Sequence, residues 1–167
     1  QRSFFLLLLF TILGSTLSAQ SIRSLLRKGK QQYEVRAYTK AIETYQEVLE
    51  RRSDQVEALS YLATCYRQLN QMEEAADHYA LALAQSNQME DVHILEYGKT
   101  LKALERYAQA EQIFRIYAER NAPLGNHYAA SCEFAVGQQG VSSDYQVTNE
   151  LVNSSAADFG PSFFMDQ

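Results

Sequence analysis

The sequence predicts an all-α protein of stacked antiparallel helix pairs, and three observations carry that reading. The chain repeats itself at intervals of 34 and 35 residues, seen in Ala41, Ala75 and Ala110. Apolar residues within each copy recur three and four apart, as an amphipathic helix requires; Tyr38, Ala41, Ile42, Tyr45, Val48 and Leu49 are one such run. Small residues recur in register where two helices would cross. The same alignment brings together Tyr45, Tyr79 and Phe114, then Tyr38, Met72 and Tyr107, then Gly29, Ala63 and Gly98, then Leu25, Leu59 and Ile94. Columns that agree over three copies identify one repeated supersecondary unit.

Composition narrows the function classes. The 167 residues are 46% hydrophobic and 21% charged, which excludes a disordered tail and a multi-span membrane protein. Two cysteines exclude a multi-bridge disulfide scaffold and an all-cysteine zinc site. A net charge of −5 argues against nucleic acid as a partner. No metal or other cofactor is expected.

Taken in order, the chain begins with a leader-like stretch. Arg2 precedes an apolar run from Phe4 to Leu13, followed by Gly14, Ser15, Thr16, Leu17, Ser18 and Ala19. That is the layout of a secretory signal peptide, too short for a transmembrane helix, which needs roughly 20 apolar residues. Residues 1–19 are expected to be a removable signal, and the mature protein to leave the cytoplasm.

Three helix pairs follow, over about 22–55, 56–90 and 91–123. Gly29, Ala63 and Gly98 on the first helix of each pair, and Ala41, Ala75 and Ala110 on the second, let the two helices approach closely. Tyr45, Tyr79 and Phe114 fill the space between neighbouring pairs, and burying such a ring is worth roughly 1.5–3 kcal/mol. Asp54 and Glu57 have the spacing of a capping box and set a helix start near Gln55. Asn70 marks a turn, where it tolerates a left-handed backbone. After Pro123, the segment 124–138 is amphipathic and is expected to be a helix capping the last hydrophobic face.

These residues resemble the tetratricopeptide repeat family, whose period is 34 residues of helix–turn–helix. The second copy matches best, through Leu59, Leu62, Ala63, Tyr66, Met72, Ala75, Tyr79, Ala82 and Leu83. The resemblance covers about residues 22–123 and implies a helical solenoid of three repeats plus the capping helix. Arg36, Asn70 and Glu105 stand where the family has a turn glycine, which leaves the tightness of those turns open. Tyr117 stands where the family has alanine, so the last pair either splays or meets a special neighbour.

No catalytic constellation emerges from the residues, and the protein reads as a non-enzyme. His93 and His127 lie 34 apart, in equivalent places of successive units about 10 Å apart, too far to share a metal ion. All three histidines are therefore expected at surfaces or interfaces. Cys65 and Cys132 lie two units apart and are expected to be buried thiols rather than a disulfide. The acidic pair Glu73 and Glu74 suits a helix start.

Binding is the better prospect. In the tetratricopeptide family the first helix of each pair lines a concave groove. The resemblance puts Arg23, Leu26, Lys30, Tyr33, Ser60, Thr64, Arg67, Leu95, Lys99 and Lys102 there. The basic members imply an acidic protein or peptide partner.

From Asn121 onward there is no Lys or Arg. Residues 139–167 read as a linker and the start of a β domain, with Phe163, Phe164 and Met165 opening another apolar run. Asn153, Ser154, Asp158, Phe159, Gly160, Pro161 and Phe163 resemble the start of a WD-repeat-like β-propeller in a family of exported envelope proteins. Those proteins run from signal peptide through tetratricopeptide units and propeller to an OmpA-like peptidoglycan-binding domain. The resemblance implies a scaffold at the periplasmic face of the outer membrane, and some relatives serve secretion. Peptidoglycan or outer-membrane association would come only through domains beyond this sequence. Two other readings stand beside it: the regulatory arm of an envelope enzyme, and a chaperone-like holdase.

Overall fold

A computed structural model describes residues 22–85 and 89–138, all arranged as helices and short connections. The expected signal at 1–19 and the expected linker and β domain at 139–167 lie outside the described residues. The elements are α1 (22–34), α2 (Tyr38–Arg51), α3 (Val56–Gln68), α4 (Met72–Gln85), α5 (Asp91–Ala103), α6 (Tyr107–Ala118) and α7 (Ala122–Gln138). No described helix is long and apolar enough to cross a membrane.

Each helix packs on the next, so the architecture is a solenoid of antiparallel pairs. The first helices α3 and α5 also touch directly across the joint, with no comparable contact between the second helices α4 and α6. At that joint the first helices therefore form the tighter, inner side.

The repeated columns do the packing expected of them. Ala41, Tyr45, Ala63, Ala75, Tyr79, Gly98, Ala110 and Phe114 are all buried. A methyl group added to Gly29 would lie 2.7 Å from the Tyr45 ring, and one added to Gly98 would lie 2.5 Å from the Phe114 ring. Glycine is thus required in two copies because the aromatic of the second helix lies flat on the first. The same rings reach into the next unit. Tyr45 stacks on Tyr61 at 5.7 Å, Tyr79 meets Tyr97 at 5.7 Å, and Phe114 stacks on Tyr128 at 4.8 Å. One aromatic column holds both the pair and the joint.

The turns within the pairs are tight although none contains glycine. Arg36, Asn70 and Glu105 have φ of 59°, 60° and 58°, the left-handed conformation glycine usually takes. Each turn closes with the same two bonds. Ala37 N–H donates to Gln32 O and Arg36 N–H to Tyr33 O. Gln71 donates to Tyr66 and Asn70 to Arg67, and Arg106 donates to Leu101 and Glu105 to Lys102. These are Schellman closures, so backbone pairing sets the turn and the side chain tolerates it.

Two expectations need correction. The Asp54–Glu57 capping box does not form: α3 starts where expected, but its N-cap is Gln55, with no side-chain capping bond. The last helix starts at Ala122, placing Pro123 in its first turn, where a missing N–H costs nothing. This α7 is more than a lid. Tyr128 and Cys132 lie 34 residues after Ile94 and Gly98, so α7 has the register of a fourth first helix.

The Tyr117 alternative resolves toward a special neighbour. Tyr117 is buried, and α6 and α7 pack so closely that a methyl on Gly125 would lie 2.5 Å from the Ala118 backbone.

Candidate functional site

The inner layer gathers side chains from four helices. On α1, Lys30 holds its ammonium 6.0 Å from the centre of the Tyr61 ring, and Tyr33 meets the same ring edge-on at 5.5 Å. On α3, Arg67 reaches across the joint, its Nη2 lying 2.8 Å from Glu96 Oε2. On α5, Lys99 Nζ lies 2.9 Å from Glu96 Oε1 and 5.8 Å from the centre of the Tyr128 ring. Lys102 Nζ donates to Ser131 Oγ on α7 at 2.8 Å. A cation of each unit is thus laid on the first helix of the next.

The structure places the expected groove residues unequally. Arg23 and Lys30 are exposed, and Tyr33, Arg67, Leu95, Lys99 and Lys102 are half-buried. Leu26, Ser60 and Thr64 are buried, so they floor the inner face instead of facing a partner. The cause is geometric. Thr64 on α3 is covered where α5 approaches, and Leu26 packs into the core cluster of Ala41, Tyr45 and Leu62.

Thr64 is occupied in the core. Its hydroxyl donates to Ser60 O at 2.9 Å, leaving its oxygen to accept from Tyr79 OH at 2.9 Å and from His93 Nδ1 at 3.1 Å. His93 is a buried interface histidine, packed edge-on against Tyr61 at 4.9 Å. Burial lowers its pKa, opposed by the Glu90 and Glu96 carboxylates. His93 Nε2, Ser60 Oγ and Tyr45 OH are buried without a hydrogen-bond partner among the described residues.

Sequence reasoning missed Tyr61 and Glu96. They lie 35 residues apart, in one column of the repeat register, two residues before Ala63 and Gly98. That column was the available signal: it lies one turn from the groove positions and faces the preceding unit.

Cys65 and Cys132 are free and buried. Burial pushes the Cys65 thiol up to about 12 and raises Cys132 as well, so neither presents a thiolate at neutral pH. Among the described residues, no group of three His, Cys, Asp or Glu is placed to hold a metal ion.

Comparisons with known proteins agree on the architecture. The family model "Tetratricopeptide repeat" matches residues 26–90. No curated protein matches the chain. Several solved structures share the fold at low identity. The first repeat domain of Spaghetti (RPAP3), bound to the HSP90 peptide SRMEEVD, is 19% identical over 71% of this chain and 94% of that one, with a TM-score of 0.63. The Sgt2 repeat domain from Aspergillus fumigatus is 16% identical over 81% and 92%, with a TM-score of 0.63. The type III secretion chaperone SycD of Yersinia enterocolitica, in complex with a peptide of the translocator YopD, is 15% identical over 72% and 95%, with a TM-score of 0.60. Residues 26–90 thus match the tetratricopeptide repeat model, and the described helices as a whole share the fold of a tetratricopeptide-like solenoid.

Proposed function

We propose that the protein is a non-catalytic scaffold that binds an acidic protein or peptide segment on the inner face of its first helices. The observation that carries this is the continuous band of cations and rings from Lys30 and Tyr33 through Tyr61, Arg67 and Lys99 to Tyr128. Guanidinium and ammonium groups recognise carboxylates, and rings add apolar area at low entropic cost. Peptides are the partners named for Spaghetti and SycD, which supports a peptide-sized occupant here.

The cellular setting is part of the same reading. The leader-like start and the resemblance at 153–163 favour an exported protein at the periplasmic face of the outer membrane. It would organise an envelope complex there, with peptidoglycan contact made by other domains.

The test is affinity capture of the tagged full chain from an envelope fraction, with Lys30→Glu/Lys102→Glu alongside. One stoichiometric partner, lost in the variant without a lower Tm, is the expected result. Many unfolded clients would favour the holdase instead. Capture of a single partner unaffected by the variant would overturn the groove assignment.

A further inference from the structure

We infer that Glu96 is a built-in competitor for acidic partners, occupying the cation pair that a partner's carboxylate would otherwise take. The inference rests on the reading of the inner face as a groove for acidic segments, and it concerns what that groove selects.

Glu96 divides its two oxygens between two helices. Oε2 pairs with Arg67 on α3, and Oε1 pairs with Lys99 one turn further along α5. Two cations converging on the two oxygens of one carboxylate is the geometry of acid recognition, with the acid supplied by the chain itself. The site is well sheltered, with the Glu96 side chain only 17% exposed and Arg67 and Lys99 at 26% and 32%. Glu96 is anchored at its backbone, where its carbonyl accepts Thr100 Oγ1 at 2.7 Å. Its side chain can therefore swing aside while the helix stays in place. Lys99 would keep the Tyr128 ring as a second contact.

At the preceding joint, among the described residues, no carboxylate pairs directly with Lys30; Glu34 and Glu90 act on it only from further off. Tyr61 takes on α3 the register position of Glu96 on α5, and Lys30 lies over a ring there rather than against a carboxylate. Among the described residues, Lys102 bonds a neutral hydroxyl rather than a carboxylate.

The consequence is selectivity. A single incoming carboxylate must displace one that is covalently tethered and so present at high effective concentration. A segment carrying several carboxylates engages Lys30 and Lys102 at the same time and can displace Glu96. The groove would then discriminate against isolated acidic side chains and accept multi-acidic segments.

The test uses the full chain and a fluorescein-labelled hexaglutamate peptide, with affinity read by anisotropy at low salt. Glu96→Gln keeps a hydrogen-bonding amide and removes the competing charge. It is expected to tighten binding at least fivefold, with Glu96→Ala giving a similar gain. Glu57→Gln, an exposed acid on α3, removes the same charge without touching Arg67 or Lys99 and is expected to change affinity less than twofold. An unchanged or weaker affinity in the Glu96 variants, or an equal gain in Glu57→Gln, overturns the competitor role and leaves the groove reading standing. No binding by any of these proteins overturns both.

Discussion

His93 shows how a residue expected at a surface or interface becomes a core element. It closes a chain of hydroxyls from Tyr79 through Thr64 to the Ser60 carbonyl, spanning α3, α4 and α5. With the Thr64 proton committed to Ser60, His93 must donate from Nδ1, so its bare Nε2 is the unpartnered atom. Protonation would place a charge in this joint, beside the Tyr61 and Tyr79 rings. Burial therefore holds the folded-state pKa below the ordinary 6.5 despite Glu90 and Glu96. Below pH 6.5 the unfolded chain binds a proton that the folded chain refuses, so stability is lost as pH falls through that window. The expected outcome is a Tm that drops between pH 7.5 and 5.5 in the wild type and drops less in His93→Gln. Parallel pH profiles would count against this role. Glycine and aromatic columns such as Gly29 with Tyr45 were readable from the sequence because both sides of the contact repeat. The burial of Ser60 and Thr64 was not, because register gives the face of a helix and not how far the neighbouring helix covers it.

The elements were largely readable because their signals are local. Periodicity of three and four residues located the helices, and Asn70 announced its left-handed turn. The capping box failed because α3 needed no side-chain cap; α2, α5 and α6 also begin without one. The three Schellman turns carry a cost, since a left-handed conformation is unfavourable for any residue with a Cβ. Glu105 is exposed and has no short-side-chain compensation of the kind available to Asn70. Glu105→Gly is therefore expected to stabilise the protein by about 0.5–1 kcal/mol, less the unfolded-state entropy glycine adds. Asn70→Gly should gain less. Thermal melts of the two variants check the order, and a lower Tm for Glu105→Gly would contradict it. The helix α7 was expected as a cap. Its Tyr128 and Cys132 extend the repeat columns, so the cap is built to the pattern of the units it closes.

Across the whole molecule, basic residues of one unit lie against the next unit as well as charging the inner face. Lys30 lies on Tyr61, Arg67 reaches Glu96, and Lys102 reaches Ser131. Outside the inner face, Arg106 pairs with Glu73, and Arg120 bonds Asp91 and the Met89 carbonyl. The basic residues expected in a groove carry less free charge than the sequence suggests, because Glu96 pairs with Arg67 and Lys99. The sequence could place Arg67 and Lys99 on one face, but not the Arg67–Glu96 pair, since that contact joins residues 29 apart in successive units. The proposed binding face is tested most directly by amide chemical-shift mapping of the full chain during titration with an acidic peptide. Shifts concentrated at Lys30, Tyr33, Tyr61, Arg67, Glu96, Lys99 and Tyr128 are the predicted result; shifts concentrated on α2, α4 and α6 would contradict it.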